Sequence, residues 1–560
     1  MCRDMSNLLR KAWESVSGRF GSGSGSASSS SSPSSSGRHQ QQQEMMTSLY
    51  AQSSTGAFDR VPLDVFMQIV KLLGPKEVAR LSAVCKSWKL IVSDNRLWIY
   101  FLQNQQESWD SIFFAETQLR SGYPLQALPN HMSQLSFMDV FGQREQVPGS
   151  VIIDGGSGYC KFGWSKYERP SGRSATFLEF GNIESPMYSR LRHFFGTIYS
   201  RMQVKTSAQP IVVSVPICHY DDTESAKAAR RQLKQTIYSV LFDMNVPAIC
   251  AINQATLALY AARRTSGIVV NIGFQQTSIV PILHGKVMRK VGVEVVGMGA
   301  LKLTGFLREL MQQKNMHFDS LYTVRSLKEV PTLPFALQAL RFIHFPLVNG
   351  KSLDEIKESK FCRRCEDSVV WIGGYSVEAA TIHSRAAEEG DSLINSSYGL
   401  GQKLCYVALD YEAELSKDTQ ATLEVAAEGC FTLSKERFQT GEILFQPRMA
   451  GVRAMALHQA VALCMDHCQA AELTGDNSWF KTVVLTGGSA CLPGLAERLG
   501  KELHEELPKS MSTGIRVISP PFGVDSAWFG AKLISNLSTF PGPWCMTKKQ
   551  FRYKARRFIW

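Results

Sequence analysis

The 560-residue sequence predicts an α/β body preceded by a small all-α module of three helices. Three observations lead there. From residue 150 onward, short apolar strand runs alternate with helical patterns, the mark of an α/β fold. Before it, residues 59–105 repeat apolar side chains at the spacing of short helices. One hydrophobic core rarely grows past about 250–300 residues, so a chain of this length divides. Composition closes off other classes. Hydrophobic residues make up 44% and charged residues 20%, a soluble, globular balance. No apolar run approaches the roughly 18–20 residues of a membrane helix, and the first twenty residues hold no signal-like apolar core. Thirteen cysteines are too sparse for a disulfide scaffold. An intracellular protein with reduced thiols is expected.

Residues 1–58 form a Ser/Gly/Gln-rich leader. Fifteen of the 17 residues from 21 to 37 are Ser or Gly, and Gln40 to Gln43 follow. Such a segment has nothing to bury and is expected to be a flexible tail. Pro62 then suits a first helical turn. Val65, Phe66, Ile69, Val70 and Leu73 recur at helical spacing, and Gly74-Pro75 stops the helix. A second helix carries Val78, Leu81, Val84, Cys85 and Trp88 on one face, and a third short element ends in Leu97-Trp98. So much apolar surface on so small a unit predicts a partner surface.

Pro62-Leu63-Asp64, the Leu72-Leu73-x-Pro75 turn, Arg80-Leu81, Val84-Cys85-Lys86, Trp88 and Leu97-Trp98 together resemble an F-box. The resemblance implies docking on the Skp-type adaptor of a cullin–RING ubiquitin ligase. It implies contacts from Pro62, Leu63, Leu81, Val84, Cys85, Trp88, Leu97 and Trp98. Residues 106–149, with Pro124, Pro129 and Pro148, read as a connector with some helix.

The body, residues 150–560, opens with a buried strand run, Val151 to Ile153, a sharp turn over Asp154 to Gly158, and a return from Tyr159 to Trp164. Gly267 to Gly273 and Thr277 to Ile282 repeat that plan weakly. A third glycine site, Thr486-Gly487-Gly488-Ser489, ends a strand. Two such hairpins facing each other can hold phosphates, because backbone N–H groups in tight turns form an anion nest. Ser157 and Lys161 add a hydroxyl and a cation. Asp154 could hold a divalent cation through water. No Walker A or GxGxxG pattern competes with this reading.

In this order, IIDGGSGYCKFGW, INQATLALYAARRTSGIVV, KLCYVALDYEAEL, ERFQTGEILFQP, TVVLTGGSACLPGLAERL and SPPFGVDSAWFGAKLISNLSTF resemble actin and the actin-related proteins. Joined to an F-box, they resemble the plant F-box-containing actin-related proteins, counted as the eighth actin-related class. The resemblance implies an actin-like two-lobed fold, of the ribonuclease H-like actin ATPase kind, with ATP and magnesium between the lobes. It puts Asp154, Ser157, Gly158 and Lys161 in the first phosphate loop and Gln254 where actin orients the attacking water. It puts Gly487, Gly488 and Ser489 in the adenosine turn and Lys328 and Glu329 beside the nucleotide. The second phosphate loop departs from the family. Asn271 and Phe274 stand where the family has aspartates, and Ser278 stands where actin has a water-positioning histidine. Val524 and Leu492 replace a lysine and a tyrosine that flank adenine. These losses predict weak or absent ATPase activity. Pro210 follows Asp154 by only 56 positions, a stretch shorter than in actin, which argues against polymerisation.

Residues 330–402 have no counterpart in the actin pattern. Reading across them joins Glu329 to Lys403 and restores a continuous family helix. The 73-residue insertion reads as retained intron or an isoform-specific exon, a reading that fails if every transcript carries it. The other reading is a surface loop, tolerated at modest entropic cost. Cys362 and Cys365 within it form a CxxC with no second pair at zinc spacing. His458, Cys464, His467 and Cys468 share a helical pattern and are expected to pack, not to bind metal.

Lys+Arg total 61 and Asp+Glu 49, and six of the net +12 charges lie in the last twenty residues, interleaved with aromatics. That tail reads as solvated and partly packed, in preference to a nuclear-targeting or nucleic-acid-binding segment. Direct nucleic-acid binding and membrane contact are not expected. The leading expectation is a substrate-recruiting adaptor of an SCF-type ligase, not itself catalytic, with its target unnamed. The second is a nuclear actin-related scaffold in a chromatin or nucleolar assembly. The expected location is the nucleus, with the nucleolus, or the cytoplasm.

Overall fold

The computed structural model describes residues 61–123, 125, 135–156, 158–175, 185–216, 223–318, 320–329, 404–425, 429–472 and 478–556. The leader, the 330–402 insertion with its CxxC, and Ser157 lie outside the described residues.

Among the described residues, six helices come first: α1 (Leu63–Leu73), α2 (Pro75–Leu81), α3 (Lys86–Val92), α4 (Asn95–Gln103), α5 (Trp109–Phe114, continued by a π turn over Ala115–Leu119) and α6 (Phe137–Gln146). Then follow β1 (Val151–Gly155), β2 (Tyr159–Trp164), β3 (Gly172–Ala175), α7 (Met187–Arg201), β4 (Ile211–Val215), α8 (Glu224–Asp243), β5 (Ala248–Asn253) and α9 (Gln254–Ala261). Next are β6 (Gly267–Ile272), β7 (Gln276–Leu283), β8 (Lys286–Val287), β9 (Val293–Val296), α10 (Ala300–Gln312) and α11 (Leu321–Glu329). After the insertion come α12 (Tyr411–Leu415), β10 (Ala421–Val425), β11 (Gly429–Leu433), α13 (Glu436–Glu442), α14 (Leu457–Ala470) and β12 (Thr482–Thr486). The chain closes with α15 (Leu495–Glu506), α16 (Lys509–Ser512), β13 (Arg516–Ile518), α17 (Ser526–Ser535), β14 (Met546–Thr547) and α18 (Lys548–Arg556).

The chain divides into a helical unit and a body. Among the described residues, the helical unit takes in 61–120, 135–147 and Leu537–Thr539. Its core joins Phe66, Val70, Val78, Val92, Leu97 and Trp98 to Ile112, Phe137 and Val140. Two expectations are corrected here. Residues 106–149, expected as a connector with some helix, belong to the helical unit, because α5 and α6 supply part of its core. The expected second helix is two helices, α2 and α3. Cys85 breaks it in an extended conformation, where its thiol accepts the Trp88 N–H at 3.5 Å as the N-cap of α3. At the first break Gly74, at φ 81°, turns the chain, and Pro75 supplies the fixed φ that opens α2. Inside the unit, Glu116 is buried and accepts from Arg144 Nη1 at 3.1 Å and from Ser538 N–H at 2.9 Å. That pairing meets the cost of a buried carboxylate.

The body holds two mixed sheets. The first runs β14-β5-β4-β1-β2-β3, the second β13-β12-β6-β7-β8 with β9 on β7. Both follow one plan. An antiparallel hairpin (β1–β2, β6–β7) continues into parallel strands (β4 and β5; β12 and β13). The weak repeat in the sequence is therefore a repeat of whole lobes. Parallel strands covered on both faces read as continuous apolar runs, as IVVSV and TVVLT do. The first lobe packs α7 and α8 on its sheet, and the second packs α10, α14 and α15. α9 leaves β5 and packs on the second sheet through Ala255 and Leu259. Residues Ala255 to Ala261 are all buried, so this helix shows no polar face.

Candidate functional site

Two places answer the sequence expectations: a face of the helical unit and the cleft between the two lobes of the body.

On the helical unit, α1 buries Phe66 and Val70 and leaves Val65, Ile69, Leu72 and Leu73 exposed. Their i, i+4, i+7, i+8 spacing makes one stripe. Leu72 is 87% exposed, and Val84, in the turn before α3, is 64% exposed. An exposed apolar stripe of this kind is a candidate interaction surface. Of the residues expected to touch an adaptor, Pro62 and Val84 are exposed, and Leu81, Cys85 and Trp88 are half-buried. The Leu63 side chain lies outside the described residues. Leu97 and Trp98 are corrected: they are buried at 0% and 2% exposure, and Trp98 Nε1 donates to Val92 O at 2.6 Å. They hold the core and present no surface. Trp88 leans the same way, its ring edge-on to Phe66 at 5.2 Å. Val65, Ile69, Leu72 and Leu73 are the contact candidates that the residue-by-residue carry-over missed. Their signal was present, because α1 is apolar on more of its circumference than one core can cover.

In the body, the three glycine sites converge. Gly156 N–H closes the first hairpin turn on Tyr159 O at 3.1 Å, and Gly273 N–H closes the second on Gln276 O at 3.0 Å. The registers match too: Asp154 faces Lys161 across the first hairpin and Asn271 faces Ser278 across the second. Gly487, at φ 101°, lies against the second hairpin, where an added Cβ would come within 2.2 Å of Ile272 O. Only glycine fits there.

Asp154 is buried at 2% exposure. Its Oδ1 accepts from Ser214 Oγ at 2.6 Å and from Gln254 Nε2 at 2.7 Å, and Oδ2 faces Lys161 Nζ at 3.5 Å. Gln254, expected from the resemblance to orient a water, is held on Asp154. Ser214 was missed; its signal is the one hydroxyl ending an apolar strand. Lys161 also donates to Val524 O and lies 3.8 Å from Asp525, which Arg173 holds at 2.5 Å. Lys328 and Ser489 do meet. Lys328 is fully buried, and its ammonium lies 3.3 Å from Ser489 Oγ, 3.1 Å from Thr304 Oγ1 and 3.5 Å from Ala300 O. Glu329 ends α11 just before the insertion. Beyond the insertion, Leu404 and Cys405 are buried in the same core as Val324. Arg325 lies over the Tyr159 ring at 4.0 Å, a contact between lobes that sequence reasoning missed.

The arrangement does not fit magnesium and a triphosphate. Phe274 of the second turn lies against Gly158 of the first, where an added Cβ would come 2.8 Å from its ring. An apolar ring thus fills the space between two turns that would have to offer their N–H groups to an anion. The second turn brings no carboxylate, and the N–H groups of Ala300 and Leu301 are spent on Gly273 O and Phe274 O at 2.8 Å. The Lys161 and Lys328 ammoniums are engaged by protein oxygens.

Elsewhere, His458 stacks on Phe445 at 6.0 Å, and Cys464 and Cys468 are buried one turn apart on α14. The basic C-terminus forms α18, whose Phe551 stacks on Tyr238 at 5.8 Å and whose Lys548 donates to Phe242 O at 2.8 Å. Among the described residues no helix is long and apolar enough to cross a membrane.

A family model described as Actin matches residues 190–559, and one described as F-box-like matches residues 58–104. The chain is 60% identical over 549 residues to Actin-related protein 8 of Arabidopsis thaliana, covering 98% of this chain and 99% of that protein. It is 54% identical over 555 residues to Actin-related protein 8 of Oryza sativa subsp. indica and of subsp. japonica, covering 99% of this chain and 98% of each.

Proposed function

From the premise that the chain belongs to the actin family, as an actin-related protein with an F-box-like region, we propose that it is an adaptor. Its helical unit docks on the Skp-type subunit of a cullin–RING ubiquitin ligase, and its actin-like body selects the protein to be modified. The observation that carries this reading is the exposed stripe of Val65, Ile69, Leu72 and Leu73 with Val84. Burying an exposed leucine contributes about 1.5–3 kcal/mol, so five such residues supply the core of a stable contact. The body acts by shape and surface and not by hydrolysis, a reading supported by the Phe274 ring lying against Gly158 between the two glycine turns. The adaptor works in the nucleus or the cytoplasm, wherever its target resides.

Affinity purification of the full chain with mass spectrometry tests this. Recovery of a Skp-type adaptor and a cullin supports the reading. Recovery of chromatin or nucleolar subunits with no adaptor would replace it with a nuclear scaffold in which the helical unit is only a protein contact.

A further inference from the structure

A cavity of about 480 Å³ opens at the carboxyl ends of β4 and β5, lined there by Val215, Ile252 and Asn253. Ligands of open α/β sheets bind outside the carboxyl ends of parallel strands, and the volume suits a small molecule. None of the phosphate-turn residues lines it.

The walls are basic. Lys227, Arg230, Arg231 and Lys234 recur every three or four residues along α8 and present one helix face to the cavity. Lys286 comes from β8, Arg289 from the turn after it, and Lys554 from α18. Seven cations from four elements therefore meet on one concavity, and no carboxylate is among the described residues that line it. Lys234, Lys286 and Lys554 have no carboxylate within salt-bridge distance among the described residues. Like charges gathered this closely repel, and a polyvalent anion relieves them. Burial is the main cause that pushes the Lys234 pKa down; the Cys250 thiol opposes it, and Lys554 and Arg289 add to it. Tyr123 and Asn253 add neutral polar groups to the lining.

We propose that this cavity binds a small anion bearing several phosphate groups. Charge, volume and concavity decide between this and a polymer. A nucleic-acid backbone is tracked by cations set along an exposed ridge or groove, whereas these converge inward from separate elements. The proposal also gives the basic C-terminus a role: α18 is anchored by Phe551 and carries Lys554 to the cavity wall.

Isothermal titration calorimetry on the full chain at physiological salt tests it, with inositol hexakisphosphate, tripolyphosphate and inorganic phosphate as probes. The expected result is one-to-one binding of at least one polyphosphate, far tighter than inorganic phosphate; the two polyphosphates distinguish a cyclitol from a linear ligand. Lys234→Gln and the exposed Lys554→Gln should each weaken it about tenfold. Lys549→Gln, on the same helix but outside the cavity, should leave it unchanged. No polyphosphate binding, or equal weakening by Lys549→Gln, would overturn the proposal. So would an oligonucleotide that binds tightly and is not displaced by either polyphosphate.

Discussion

Removing the ring of Phe274 should open the cleft. Phe274 is half-buried, with its ring against Gly158. Truncating a fully buried phenylalanine costs about 3–5 kcal/mol, so Phe274→Ala should cost about half of that, ~2 kcal/mol. At roughly 2 °C per kcal/mol for a large domain, the melting temperature falls by about 4 °C. The turn itself should persist, because Gly273 O and Phe274 O still accept from Ala300 and Leu301. With the ring gone, both turns can offer their N–H groups to an anion. Differential scanning fluorimetry with and without millimolar magnesium–ATP reads this. Wild type should show no shift. In the variant, ligand at about 100 times Kd would return ~2.7 kcal/mol, enough to recover the lost stability. An equal ATP-induced shift in wild type and variant would refute the reasoning, because the ring would then not be what excludes the triphosphate.

Three further outcomes follow from packing and charge. Gly530→Ala on α17 should cost about 3 kcal/mol or more in thermal or urea unfolding. An added Cβ would sit 1.8 Å from Leu257 O of α9, and neither backbone can yield cheaply. Leu97→Ala should cost about 2–5 kcal/mol and loosen the helical unit as a whole, visible as loss of α-helical circular dichroism on mild heating. Burial alone would raise the Glu436 carboxyl, but hydrogen bonds from Lys314 Nζ, at 2.6 Å, and from Ser434 N–H outweigh it and hold its pKa below the usual value. Its stabilisation is therefore present above the ordinary glutamate pKa and is lost as pH falls through the lowered one. Urea midpoints of wild type and Glu436→Gln should differ at pH 7 and converge as pH falls below the lowered Glu436 pKa.

The order of modules and the plan of each lobe could be read from the sequence because glycine turns and apolar runs are local signals. Asp154 and Lys161, and Asn271 and Ser278, fall at matching places in two hairpins spaced alike along the chain. What depends on distant partners could not be read. Leu97 and Trp98 looked like docking residues because an apolar side chain does not say whether a core or a partner covers it. The break at Cys85 was hidden because Val84, Cys85 and Trp88 continue a helical period. Residues 106–149 looked like a connector because their partners, Phe66 and Val70, lie far back in the chain. The loss of aspartates at Asn271 and Phe274 was plain, but the seating of that ring on Gly158 requires the two lobes to be brought together. The cations of α8 were not singled out in the sequence, although they fall three or four residues apart. That Lys286, Arg289 and Lys554 join them could not be read there.

Docking of the helical unit on a Skp-type adaptor is tested most directly by calorimetric titration of the purified adaptor into the full chain, wild type against Leu72→Glu and Val84→Glu. Leu72 and Val84 are exposed, so both variants should keep the wild-type melting temperature. Loss of one buried leucine at the contact removes about 1.5–3 kcal/mol, so each variant should bind about ten- to a hundredfold more weakly than wild type. Wild-type binding that both variants share unchanged, or no binding by the wild type, would contradict the account.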